Sequence, residues 1–352
     1  MNRPTVGLIA NPASGKDIRR LVAHGTVVDN QGKVSIVRRL VISLMTCGVG
    51  RILYMPDYFG LMHKAVDGLG SNYSFKDGLL KNAQAPGPGI KIEQADVELT
   101  GSQNDSRTAA EAIARQGAKC ILVLGGDGTC RQAAKGSGQV PLLPISSGTN
   151  NVFPSMVEAT TAGLAAAAVA LDLAGPQAVY QAKRLTIEKN GQKVDEALVD
   201  AVVTRGSFTG SKAVWDVSDL AQAVFTRGEP GDMGLASIIG KTNPVSPKDS
   251  FGAYVVFDPR RRDLMAPIAP GVIKAVGVTD SGRLYVGEHI DISVSPAVIA
   301  LDGEREVEIS ENDKVSISLS SQGPFVVDLE AALAGSVALG FYRDAQRLAE
   351  LG

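Results

Sequence analysis

Between residues 5 and 151, short apolar runs recur, and most of them stop at a turn rich in glycine, proline or asparagine. "TVGLIA" (5–10) ends at Asn11-Pro12, "RILYMP" (51–56) at Pro56, "AKCILVLGG" (118–126) at two glycines, and "VPLLPISSGTNN" (140–151) in a polar turn. "IKIEQADVEL" (90–99) is a further strand-like run. Helix-length stretches separate them. "GKVSIVRRLVISLMTCG" has Val34, Val37, Val41 and Leu44 at helical spacing. "YFGLMHKAVDGL" and "TCRQAAKG" are helix-like, and "QNDSRTAAEAIARQG" is a helix that Ser102 could cap and Gly117 ends. Strands alternating with helices need crossover connections, so a mainly parallel sheet with helices on its faces is expected. The glycine- and proline-bearing stretch at 70–89 is expected to be a long loop or insertion.

The pattern changes near residue 183. "RLTIEKNGQKVDEALVDAVVT" is expected to form two strands around Asn190-Gly191, a strong hairpin signal. "SKAVWDVSDLAQAVF" (211–225) is expected to be helical, and short β segments follow from "AYVVFD" to "KVSISLS". The end, "DLEAALAGSVALGFYRDAQRLAEL", is expected to be helix again. The expected organisation is an α/β nucleotide-binding domain over 1–180, a β-rich domain over 181–325, and a helix over 326–352 that returns to the first domain.

The bulk properties narrow the partners. A chain of 352 residues suggests about two domains. The formal net charge of -2 makes no case for nucleic acid or an anionic membrane as partner. The opening "MNRPTVGLIANP" lacks the apolar region of a signal peptide. The alanine-rich "AGLAAAAVALDLAG" (162–175) is too short to span a bilayer and contains Asp172, so a buried helix is expected there. A soluble, cytoplasmic protein is the expectation. Cys47, Cys120 and Cys130 form no zinc or disulfide pattern, which fits a reducing compartment. His24, His63 and His289 belong to no recognisable motif.

In a parallel sheet, ligands gather at the carboxyl ends of strands. Three turns would lie there. "GGDGT" offers Gly125, Gly126, Gly128 and Thr129, whose backbone N–H groups, with those of the following helix, can cradle a phosphate. Asp127 would not welcome a bare phosphate; it would bind Mg²⁺ or take a proton from an attacking hydroxyl. "IANPASGKD" is not a Walker A loop, because Ala10 and Asp17 stand where that motif needs glycine and Ser/Thr. Its Asn11, Ser14, Gly15 and Lys16 are still fit to meet phosphate. "SSGTNN" (146–151) is the third turn. One such turn alone is weak; Lys16 alone would be a surface lysine and Asp127 alone a helix cap. In the second half, Asp302, Gly303 and Glu304 form a dense polar turn, which in isolation is an ordinary β-turn. Asp200 interrupts an apolar run, so it is either at a strand edge or a ligand contact.

These residues resemble the NAD kinase and diacylglycerol/sphingosine kinase superfamily. "GGDGT" is similar to its signature, "NPASGK" to the phosphate-holding element of its lipid-kinase side, "PISSGTNNVFP" to its glycine-threonine-asparagine block, and "LDGE" to its late D-G-E element. "VGLIANPASGKDIRRLVAH" with "LLPISSGTNNVFP" is most similar to the acetoin-catabolism protein X group of ATP-NAD kinase-like proteins. The resemblance implies an NAD kinase-like two-domain fold with the site between the domains. It implies ATP-dependent, Mg²⁺-assisted phosphorylation of a hydroxyl, with NAD as acceptor and a dimer or tetramer as the working form. Asp127 would then be base and metal contact; on the lipid-kinase side Glu304 takes the base role. Gly148, Thr149, Asn150, Asn151, Asp200 and Asp302 would contact nucleotide or acceptor. The sequence departs from NAD kinases at Val199-Asp200, where an asparagine is lost, and at "GDMGLASIIG" (231–240), which keeps only Gly234 and Ser237 of a threonine- and serine-rich block. A lipid kinase and a non-catalytic nucleotide- or NAD(P)-binding regulatory protein therefore stay open as alternatives.

Overall fold

The computed structural model describes residues 3–15, 24–70, 72–82, 89–205 and 217–343. The first half contains β1 (Thr5–Ala10), α1 (Asn30–Thr46), β2 (Arg51–Tyr54), α2 (Leu61–Asp67), β3 (Tyr73–Lys76), β4 (Leu79–Asn82), β5 (Ile90–Gln94), α3 (Asn104–Arg115), β6 (Ala118–Gly125), α4 (Asp127–Ser137), β7 (Leu142–Ser146), α5 (Ala159–Ala170) and β8 (Val179–Gln181). The second contains β9 (Arg184–Lys189), β10 (Gln192–Ala197), β11 (Asp200–Arg205), β12 (Leu220–Phe225), α6 (Ala236–Thr242), β13 (Phe251–Phe257), β14 (Leu264–Ala269), β15 (Val272–Val276), β16 (Val278–Tyr285), β17 (His289–Ile292), β18 (Ala297–Leu301), β19 (Glu304–Ile309), β20 (Val315–Ser320), β21 (Phe325–Val327) and α7 (Leu329–Ala338).

Nine strands form one sheet in the order β3-β4-β5-β2-β1-β6-β7-β21-β8. Its central pairs, β5 to β2, β2 to β1, β1 to β6 and β6 to β7, are parallel. Both faces are covered, which is why these strands are continuous apolar runs rather than alternating ones. Leu122 and Leu124 of β6 point into a core with α1, α2 and α5. Their neighbours Ile121 and Val123 point the other way, toward α3, α4 and the buried side chains of β11 to β13. That second core joins the two halves of the chain. A third fills the space between a six-stranded antiparallel sheet (β16-β13-β12-β11-β18-β19) and a four-stranded one (β10-β9-β20-β17). β9 and β10 pair as a hairpin around Asn190 and Gly191, which take the positive φ values of 55° and 78° that a tight right-twisting turn requires.

One expectation fails and another resolves to one of its alternatives. The stretch at 70–89, expected as a long loop or insertion, holds within the described residues the β3–β4 hairpin, which extends the sheet at its edge; Asp77 and Gly78 turn it with φ of 51° and 77°. The supposed helix at 211–225 is, within the described residues, one 3₁₀ turn (Val217–Asp219) followed by strand β12. Leu220, Ala221, Ala223, Val224 and Phe225 are all buried, so the run has no polar face from which a period could be read. At the end, α7 stops before Gly340 (φ 75°) and a 3₁₀ turn, Phe341–Arg343, follows it. Among the described residues no helix is long and apolar enough to cross a membrane.

Candidate active site

Strand order reverses at β1, with β2 and β5 on one side and β6 and β7 on the other. A crevice opens beyond the carboxyl ends of strands at such a point. The turns after β1 and β6 both enter it. Asn11 N donates to Leu124 O at 3.1 Å, tying one turn to the other. Asn11 Oδ1 accepts from Ala13 N (2.8 Å), and Asn11 Nδ2 donates to Thr129 Oγ1 (3.2 Å). Ser14 Oγ donates to Asn11 O (2.8 Å) and lies 3.1 Å from Ser147 Oγ of the third turn. Beneath the first turn is Lys33, only 1% exposed, whose Nζ donates to the carbonyls of Asn11 (3.0 Å), Pro12 (3.3 Å) and Ser14 (2.7 Å). A buried ammonium needs such acceptors, and here they shape the loop.

Gly126 caps helix α4 in an extended conformation any residue adopts (φ −107°, ψ −173°). Its need for glycine is spatial: a Cβ there would lie 2.9 Å from Asn151 Oδ1. Asn151 is itself fixed, its Nδ2 donating to Ser146 Oγ (2.7 Å) and Gly148 O (3.2 Å). Asp127 accepts from Val152 N (3.0 Å) and Phe153 N (2.8 Å), so its carboxylate fastens the third turn to the start of α4. The first-turn N–H groups of a helix lack intrahelical acceptors and sit at the positive end of its dipole. Backbone N–H groups placed this way beside glycines can face an anion.

The opposite wall comes from the second half. Asp302 (φ 49°) and Gly303 (φ 84°) form the turn between β18 and β19. The buried Asp302 carboxylate accepts from Leu198 N (3.0 Å), Val199 N (2.7 Å) and Asp200 N (3.3 Å), and lies 3.4 Å from Arg131 Nε. Burial pushes its carboxyl above the usual range, against the pull of Arg131 and the three amides. Glu304 Oε2 accepts from Gln103 Nε2 at 2.6 Å. Its Oε1 is 3.3 Å from where a Cβ on Gly128 would stand, so it faces the helix start across the cleft.

The resulting cavity measures about 420 Å³. It brings together Asn11, Ser14, Gly15, Gly126, Asp127, Gly128, Thr129, Asn150, Asn151, Asp200, Asp302 and Glu304. Three expected contacts do not line it. Gly125 packs under Thr129, where a Cβ would meet the threonine side chain at 2.5 Å. Gly148 and Thr149 bind the segment before α1: Val27 bridges Gly148, and Thr149 N donates to Thr26 O at 3.2 Å. These residues shape the turns. Lys16 lies outside the described residues. Residues not foreseen are Gln103, Ser106 and Gln132 in the lining and the buried Lys33 and Arg131 behind it; Met233 to Ala236, from the block at 231–240, line its side. None of the three histidines lines it. All three thiols are buried; burial pushes Cys120 up to about 12 and Cys130 well above its ordinary value, the latter helped by the charges of Asp127 and Asp302.

Residues 6–173 match the ATP-NAD kinase N-terminal domain family, and residues 183–322 the acetoin catabolism protein X C-terminal domain. The acetoin catabolism protein X of Cupriavidus necator is 35% identical over 94% of this chain and 91% of its own. The chain belongs to the acetoin catabolism protein X family. A NAD kinase of Lachnoclostridium phytofermentans is 24% identical over 74% of this chain and 90% of its own. Yeast NADH kinase complexed with NADH superposes with a TM-score of 0.52 at 16% identity, covering 97% of this chain and 89% of that one. The chain has the NAD kinase-like fold expected from its motifs: a parallel-sheet α/β first half and a β-rich second half.

Proposed function

We propose that the protein is an ATP-dependent phosphotransferase acting on a small-molecule hydroxyl, with the 2′-hydroxyl of NAD as acceptor and a place in acetoin catabolism. One observation carries this reading: turns from three parallel strands and two carboxylate-bearing segments of the second half meet in one cavity. Phosphoryl transfer asks mainly for positioning and charge neutralisation, which such a cradle provides. The match to the ATP-NAD kinase family over residues 6–173 supports it.

The N–H groups at the start of α4, with Asn11 and Ser14, hold the nucleotide's phosphates. The lining suits phosphate in that Gly126 and Gly128 flank the opening N–H groups of α4 with no side chain of their own. Among the described residues no group of three or more His, Cys, Asp or Glu side chains could hold a metal on its own. That suits Mg²⁺, which is commonly bound by phosphate oxygens, waters and one or two carboxylates; Asp127 is the residue to meet it. Mg²⁺ would neutralise charge on the transferred group. Glu304 is the better-placed base: it faces the helix start and, among the described residues, only its Oε2 is engaged, by Gln103 Nε2, while the Asp127 carboxylate is engaged by two amides of the third turn. The acceptor oxygen attacks the terminal phosphorus, the bond to ADP breaks, and the hydroxyl proton passes to Glu304.

The test incubates the protein with ATP, Mg²⁺ and either NAD, NADH or a diacylglycerol, and follows ADP. The reading expects NAD-dependent release that Glu304→Gln abolishes while ATP binding persists. Release with diacylglycerol alone would make it a lipid kinase. Tight nucleotide binding without turnover on any acceptor would make it a regulatory protein.

A further inference from the structure

A second cavity, about 800 Å³, lies at the other end of helix α4. Four basic side chains line it, Arg107, Lys135, Arg184 and Lys193, against two carboxylates, Asp195 and Glu196. Lys135 Nζ pairs with Asp195 Oδ1 at 2.6 Å, Lys193 Nζ with Glu196 Oε2 at 2.6 Å, and Arg184 Nη1 with the same Glu196 oxygen at 3.2 Å. One carboxylate oxygen thus serves two cations. Arg184 Nε is buried with no acceptor among the described residues. Arg107 Nε pairs with Glu111 Oε1 at 3.0 Å just outside the lining, so four cations meet three carboxylates, and the excess of positive charge favours an anion.

Its connection to the first cavity is direct. Arg131, 1% exposed, lies one helical turn before Lys135. Its Nη1 is 3.5 Å from Asp195 Oδ2, and its Nε is 3.4 Å from Asp302 Oδ2 in the wall of the first cavity. A line of alternating charges, Lys135–Asp195–Arg131–Asp302, therefore joins the two. The segment from Asp195 to Asp200 runs the same way, lining the second cavity at its start and the first at its end.

We infer that the second cavity binds a small multiply charged anion, a phosphate ester or polycarboxylate, and regulates the first. An anion that takes Lys135 leaves Arg131 as the one cation on Asp195 among the described residues, beside the backbone N–H of Glu196 at 2.7 Å. Arg131 then neutralises Asp302 less, and the first cavity becomes more hostile to nucleotide phosphates. Coupling of this kind is reciprocal.

Calorimetric titration of the full chain in phosphate-free, low-salt buffer tests this, with inorganic pyrophosphate in one arm and citrate in the other to separate the two anion classes. Binding by at least one is expected, weakened roughly 30-fold or more in the double variant Arg184→Gln, Lys193→Gln, as loss of two charge-assisted bonds implies. Gly126→Ala, which crowds the first cavity, should leave it intact. The bound anion should weaken ATP by about fivefold, and ATP should weaken the anion equally. No binding of either probe up to about 10 mM, binding that survives in the double variant, or binding lost in Gly126→Ala overturns the site. Binding without any change in ATP affinity overturns its regulatory role. Anion binding itself does not depend on the kinase reading; only the ATP shift rests on it, so the two failures are told apart.

Discussion

Gly126→Ala puts the phosphate cradle to a quantitative test. The backbone at Gly126 suits alanine, and replacing glycine where no strain results stabilises by about 0.4–1 kcal/mol through the unfolded chain. Against this stands the methyl group, 2.9 Å from Asn151 Oδ1. Asn151 cannot yield without stretching its 2.7 Å bond to Ser146 Oγ, worth about 1 kcal/mol. The two effects nearly cancel, so urea denaturation should show a change within about 1 kcal/mol of zero. ATP binding should suffer much more. On the proposed reading the phosphates meet the N–H groups of α4 beside Gly126, where the methyl would crowd them, and loss of one or two charge-assisted bonds lowers affinity roughly 10- to 100-fold. Calorimetry with Mg²⁺ and ATP measures this. An unchanged ATP affinity in a normally stable variant would show that the phosphates do not lie against Gly126.

Further outcomes are expected. Lys33→Met should cost about 3 kcal/mol or more in denaturant unfolding, because three inward carbonyls lose a charged donor, and should weaken ATP through the loosened first turn. Lys183, buried and donating to the carbonyls of Ser246, Asp249 and Phe251, is held at about 8 instead of 10.5, chiefly by burial and then by Arg227. Between those pH values the unfolded chain keeps a proton that the folded chain has lost, so stability rises with pH across the window. With solvent screening discounted, the rise is about 2 kcal/mol; unfolding curves at pH 7.5 and 10 should show it in the wild type and lack it in Lys183→Met. The three buried thiols should react with a thiol reagent only as fast as the chain opens, and prompt reaction of Cys130 would contradict its burial.

The three turns and both acidic segments of the site were legible because each breaks a pattern. Glycine pairs, Asn11-Pro12 and Asp302-Gly303 all interrupt apolar runs, and strand-to-helix alternation assigns the first-half turns to one end of the sheet. Lys33 and Arg131 were not legible for the opposite reason. Each sits within a helix, where a basic residue ordinarily marks the solvated face. Only tertiary packing turns Lys33 under a loop and Arg131 between two carboxylates. The same cause hid β12, whose residues are buried on both sides. The β3–β4 hairpin was different: Asp77-Gly78 is a strong turn signal that the surrounding glycines and prolines of 70–89 masked.

The place of β21 bears on how the chain is made. It lies between β7 and β8, parallel to the one and antiparallel to the other, and β8 has no other neighbour in the nine-stranded sheet. During synthesis from the N-terminus, β8 leaves the ribosome well before residues 325–327 exist. That edge of the sheet must wait until nearly the whole second half has been translated, with the flank of β7 exposed meanwhile. A nascent chain stalled before residue 325 should thus be protease-sensitive along β7 and β8 even where the rest of the sheet is already closed.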